Sequence, residues 1–234
     1  MLRTYLENKQ TQLLNKQIDF YTPGGIHVYF KDPVKNPDVD VENVISSVES
    51  KIPHHLLGEI EMIIVGWFEE FEERDINAFY KDAMLHISNE QDDNDDMIDD
   101  IIHEVAHSVE ENYGYQIYGD SLIKDEFLLK RRRLHDELWS LGFKKPMSFF
   151  NDLEYSEEFD NFLLNDVGYD KLNIICNGLF INAYAPTSLR EYFAIAFTDF
   201  YMMTDDHNTL KKVSPAVYKK ISELNSKDLV DKYL

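Results

Sequence analysis

The sequence predicts an α+β protein, with a small mixed sheet and one long helix in its N-terminal part and a mostly helical C-terminal half. Three observations lead there. Strand-length apolar runs bounded by turn residues lie before residue 90, notably Ile26-His27-Val28-Tyr29-Phe30 and Ile60-Glu61-Met62-Ile63-Ile64-Val65-Gly66. The stretch Asp99 to Glu110 carries Ile101, Ile102, Val105, Ala106 and Val109, which bury much of a helix. From residue 121 onward, helical patterns dominate. A chain of 234 residues is long enough for one large domain or two small ones. Without repeats, a low-complexity linker or a boundary signal, the expectation is a single domain over 1–234, an α/β part over about 1–115 and a helical part over about 116–234.

The elements follow in order. Residues 1–18 are polar with periodic Leu and Ile and read as a helix. Ile26 to Phe30, after Gly24-Gly25, reads as a strand, and Lys31 to Asp40, with Pro33 and Pro37, as a loop. Val44, Ile45, Val48 and Ile52 are spaced for a helix over Val41 to Ile52. Ile60 to Gly66 is expected at the centre of the sheet. A charged segment follows, Glu69 to Asp75. Ala78-Phe79-Tyr80 and Ala83-Met84-Leu85-His86-Ile87 suggest a further strand or hairpin. The acidic run from Gln91 to Asp100 lacks the Gly and terminal Glu of a calcium loop. It reads instead as a helix N-terminus, where carboxylates meet the positive end of the macrodipole. The long helix is then expected from near Asp95 to about Asn112, with Gly114 as its stop. Residues 121–142 read as a helix bearing Lys130-Arg131-Arg132-Arg133, taken as a solvated face or a partner for the acidic surface. Residues 143–170 are mixed and aromatic, 188–204 are helical, and Lys211 to Tyr233 form one or two helices, one starting at Pro215.

Charge and cysteine usage exclude several functions. With 44 acidic against 23 basic residues the net charge is −21. That argues against nucleic acid and against anionic membrane surfaces, both of which need basic patches. A basic peptide or protein is the favoured partner. The single cysteine, Cys176, lies in the apolar run Leu172-Asn173-Ile174-Ile175-Cys176 and reads as core. No apolar signal region opens the chain and no stretch reaches the ~20 apolar residues of a membrane span, so a soluble, cytoplasmic protein is expected, non-classical secretion aside. Nothing decides the oligomeric state.

The most informative residues are 103–107, His-Glu-Val-Ala-His. Histidines at i and i+4 share one helical face, roughly 5–6 Å apart at Cβ. They can bind one Zn²⁺, while Glu104 reaches a metal-bound water as general base without being a ligand. The bland alternative is a pair of core histidines bonded to carboxylates or carbonyls. A catalytic zinc takes three protein ligands, and His₂Glu is one established combination. Glu191, opening an aromatic- and alanine-rich helix, is the candidate third ligand. Equally, Ser188-x-x-Glu191 fits a capping box, so the carboxylate has a second possible use.

His103-Glu-x-x-His107 together with Glu191-Tyr-Phe-Ala-x-Ala-Phe197 resembles the catalytic domain of anthrax lethal factor and the Pro-Pro endopeptidases, zinc metallopeptidases of the gluzincin type. The resemblance implies a zincin-like fold, zinc held by His103, His107 and Glu191, and Glu104 as general base. It also implies an oxyanion-stabilising role for the tyrosine seven residues before the third ligand, here Tyr184. The implied activity is zinc-dependent endopeptidase; the alternative is a catalytically idle zincin-fold binding or regulatory module. An extended substrate would add to a sheet edge, with residues 83–88 as the expected strand. Acceptors for the outer N–H groups of the histidines are expected around 100–111 and 199–206. The sequence departs from the family in two places. Ile195 replaces the helix's second glutamate, and the 84-residue step from His107 to Glu191 implies an insertion near 120–165. The resemblance covers roughly 60–130 and 175–220.

Overall fold

The structure is a computed structural model that describes residues 19–74, 76–203 and 207–226. The helix expected over 1–18 lies outside these residues, as does the end of the last helical segment, from residue 227 onward. The chain forms two compact units, 1–108 and 109–234.

The first unit holds a five-stranded mixed sheet. Its strands are β1 (Phe20–Tyr21), β2 (His27–Phe30), β3 (Met62–Gly66), β4 (Ala78–Lys81) and β5 (Met84–Ser88), in the order β1-β2-β3-β5-β4. β2, β3 and β5 run parallel, while β1 and β4 are antiparallel to their neighbours. β3 is central, as its apolar run predicts. The parallel strands bury Val28, Ile63, Val65, Leu85 and Ile87, the β-branched and leucine residues that suit a covered sheet. Helix α1 (Val41–Lys51) starts at Asp40, whose carboxylate accepts from the Asn43 N–H at 3.1 Å, and it buries Val44, Ile45 and Val48. The charged segment after β3 forms a short helix, α2 (Glu69–Arg74).

One expectation is corrected here. Residues 83–88 do not offer a free edge, because β5 lies between β3 and β4. A two-residue turn pairs Lys81 with Met84 and places Asp82 (φ 51°) and Ala83 (φ 62°) in the left-handed region that such hairpins need. The return strand, β4, therefore takes the edge.

Helix α3 (Asn94–Tyr118) is the long helix, and the boundary between the units falls within it. Asp93 accepts from the Asp96 N–H at 2.9 Å at its start. Met97, Ile101, Ile102, Val105, Ala106 and Val109 are buried, as the pattern predicts. Gly114 does not stop the helix. A helical glycine costs only about 1 kcal/mol, and the fully buried Ile117 anchors a further turn, which closes at Gly119.

The second unit is helical. Its elements are α4 (Leu122–Ser140), a 3₁₀ turn at Met147–Phe150, α5 (Glu157–Asn161), a π-helical turn at Phe162–Val167, α6 (Tyr169–Cys176), α7 (Leu189–Met202), α8 (Asn208–Val213) and α9 (Pro215–Leu224). Phe149, Phe150, Phe159 and Phe162 pack edge to face, with Phe150 and Phe159 centroids 5.2 Å apart. Cys176 is buried as read, and burial pushes its thiol up to about 12. The basic cluster on α4 is divided. Arg132 and Arg133 are exposed, but Lys130 and Arg131 are 7% and 1% exposed. Lys130 donates to the carbonyls of Leu179 and Val213 and to the Ser214 hydroxyl, so a solvated face describes only half of the cluster. No helix among the described residues is long and apolar enough to cross a membrane.

Candidate metal centre

Helix geometry alone brings His103 and His107 together. Four residues apart on α3, their rings lie 5.1 Å between centroids at 81°, and both are half-buried. Glu104, the residue between them in role, is 8% exposed. Its Oε2 accepts from the Tyr80 N–H at 2.7 Å. That amide belongs to β4, so the carboxylate is held at the edge of the sheet. The β4 register explains this, since an edge strand turns alternate N–H groups away from its neighbour.

The third candidate sits in the first turn of α7. Ser188 caps that helix, its Oγ accepting from the Glu191 N–H at 3.0 Å. The cap thus engages the backbone N–H of Glu191. One ligand atom from each of His103, His107 and Glu191 lies within 4.8 Å of the other two, a group able to hold a metal ion. All three residues are half-buried, and two neutral imidazoles with one carboxylate are a donor combination that suits zinc.

The backbone just ahead of Glu191 is tied at successive residues. The Thr187 carbonyl accepts from the Arg131 guanidinium at 2.7 Å. The Leu189 N–H donates to the Leu153 carbonyl at 2.8 Å. The Arg190 Nε donates to Glu110 Oε2 at 3.1 Å. Arg131 also lies 4.0 Å over the ring of Phe159 and 4.9 Å over that of Phe127, and burial holds its guanidinium well below the usual range. The sequence carries no signal for these ties, because each joins residues dozens of positions apart.

Tyr184 is half-buried, in the turn that leads to α7. Its N–H and that of Ala185 donate to Asn182 Oδ1 at 3.0 and 2.9 Å. Burial and then the Glu191 carboxylate push its phenol well above the ordinary tyrosine range, so it stays a neutral donor. Among the residues expected to orient the histidines, Asp100 accepts from Gln91 Nε2 at 3.1 Å. Burial pushes its carboxyl up to about 6. Glu110 binds Arg190 and the Tyr118 hydroxyl. Residues 204–206 lie outside the described chain.

Fold and site together define an α+β protein with a long helix bearing His-Glu-x-x-His and a three-residue group able to hold a metal ion. The family model for anthrax toxin lethal factor, N- and C-terminal domain, matches residues 76–224, well over half of the chain, and the chain belongs to that family. No curated protein and no solved structure matches it.

Proposed function

We propose that the chain is a zinc-dependent endopeptidase of zincin-like fold, with zinc held by His103, His107 and Glu191. The observation that carries this reading is the convergence of one ligand atom from each of these residues within 4.8 Å. Membership of the lethal factor family supports it. When bound, zinc supplies a Lewis acid and makes water acidic enough to react near neutral pH.

The protein's own groups do the rest. Glu104 takes the proton of the attacking water and returns it to the leaving amine. Its bond to the Tyr80 N–H holds the carboxylate in place for both transfers. The Tyr184 hydroxyl, kept neutral by its surroundings, donates to the developing oxyanion. An extended substrate lies along β4, an edge strand among the described residues, beside the Tyr80 amide that meets Glu104. The net charge of −21 favours basic protein substrates, and their cleavage slows as salt screens the attraction.

The deciding experiment is zinc content by elemental analysis of the wild-type chain beside Glu191→Ala. About one zinc per chain, lost or much weakened in the variant, supports the His₂Glu site. Unchanged zinc in Glu191→Ala returns Glu191 to the role of helix start. No zinc in the wild type after reconstitution ends the peptidase reading. Glu104→Gln then separates enzyme from idle fold, since it spares zinc and abolishes cleavage only in an enzyme.

A further inference from the structure

The Glu110 carboxylate is occupied on both oxygens. Oε1 accepts from the hydroxyl of Tyr118, the last residue of α3, and Oε2 accepts from Arg190 Nε at 3.1 Å. Its side chain is only 7% exposed, whereas that of Arg190 is 55% exposed. Glu110 lies three residues after His107 on the same helix, and so near the same face. Arg190 directly precedes Glu191. Tyr118 adds an apolar contact to the same turn, its ring 6.2 Å from that of Phe193 on α7.

We propose that Glu110 is a positioning residue for the metal group, acting through Arg190 and Tyr118 to fix the first turn of α7 against α3. This rests on the zinc reading above. The physical reason is that Glu191 is remote from the histidines in sequence. Its distance from them depends on where α7 begins, not on helix spacing. An ion pair buried on its carboxylate side is directional, because the two oxygens are committed to two different donors. Ser188 sets where α7 starts along the chain; the Glu110–Arg190 pair sets where that start lies against the metal helix. A residue that shapes the ligand frame without touching the metal typically changes affinity about 10–100-fold.

The test uses the full chain and measures zinc affinity by competition with a chromophoric chelator. The visible spectrum of the Co²⁺-loaded protein and the melting temperature of the metal-free protein are read alongside. Arg190→Ala, at a half-exposed side chain, is expected to weaken zinc about 10-fold and to alter the Co²⁺ spectrum, with the metal-free melting temperature nearly unchanged. Arg190→Lys recovers part of the affinity, because it restores the charge, and Glu110→Gln behaves like Arg190→Ala. Wild-type affinity and spectrum in folded Arg190→Ala overturn the positioning role while leaving the zinc reading intact. A wild-type chain that takes up no zinc overturns both. Zinc unaffected by Glu191→Ala overturns the role as well, since there is then no third ligand to position.

Discussion

The two histidines and the glutamate that complete the candidate site are held in place by opposite means. His103 and His107 are set by a single continuous helix, whose apolar face and i,i+4 spacing are local properties. Glu191 sits behind the segment 187–190, where Arg131, Ser188, Leu153 and Glu110 each hold a different group. The difference teaches that the histidine pair can be altered with little effect on the fold, whereas the placement of Glu191 is bound up with the packing of the helical unit.

The sharpest way to break that contrast is to compare Arg131→Ala with His107→Ala. Arg131 is fully buried, and its loss leaves the carbonyl of Thr187 without its donor and opens a cavity between Phe127 and Phe159. A destabilisation of roughly 3–5 kcal/mol is expected by urea unfolding. His107→Ala should cost less than about 1 kcal/mol in the metal-free protein, yet abolish zinc binding. Equal destabilisation by the two variants would erase the distinction.

A second comparison uses pH. The carboxyl of Asp100 on α3 is raised from 3.8 to about 6, chiefly by burial. Between those values the native state keeps a proton that the unfolded chain has released. The associated stability is therefore full below about pH 4 and is lost as pH rises through 6. Asp100→Asn keeps an acceptor for Gln91 and removes the charge. Its unfolding midpoint should fall less steeply than wild type between pH 4 and pH 6, leaving it the more stable of the two at pH 7. Parallel pH profiles would contradict the burial assigned to this group.

Smaller effects sharpen the picture at each helix. Ser188→Ala removes the α7 cap and should cost about 1 kcal/mol, a melting shift of roughly 2–4 °C. Because the cap precedes Glu191, zinc affinity should fall with it; an unchanged affinity would show that the other ties suffice. Gly114→Ala lies within α3 where a Cβ meets nothing within 4 Å, so it should stabilise the protein by about 0.5–1 kcal/mol without touching zinc.

Much of the site and part of the fold were legible in the residues. The α+β class, the central β3, the hairpin, the long α3 and the helix starting after Ser188 follow from periodicity and capping. The pairing of His103 and His107 follows from spacing. What failed to show had a common cause. The end of α3 passed Gly114 and took in the fully buried Ile117, and the edge position went to β4 because pairing order is set by the sheet and not by any one strand. Lys130 and Arg131 look like half of a basic surface cluster, but the carbonyls and rings that receive them come from residues 127 to 214.

By itself, then, the sequence determined which side chains could hold a metal and placed two of them on one face, since helical spacing is a short-range property of the backbone. Only the tertiary structure decided that Glu191 joins them, that Glu104 rests on the Tyr80 amide, and that Arg131 and Glu110 hold the start of α7. These contacts span from 24 to 88 residues along the chain, and a contact of that separation exists only once the packing of other elements has brought its ends together.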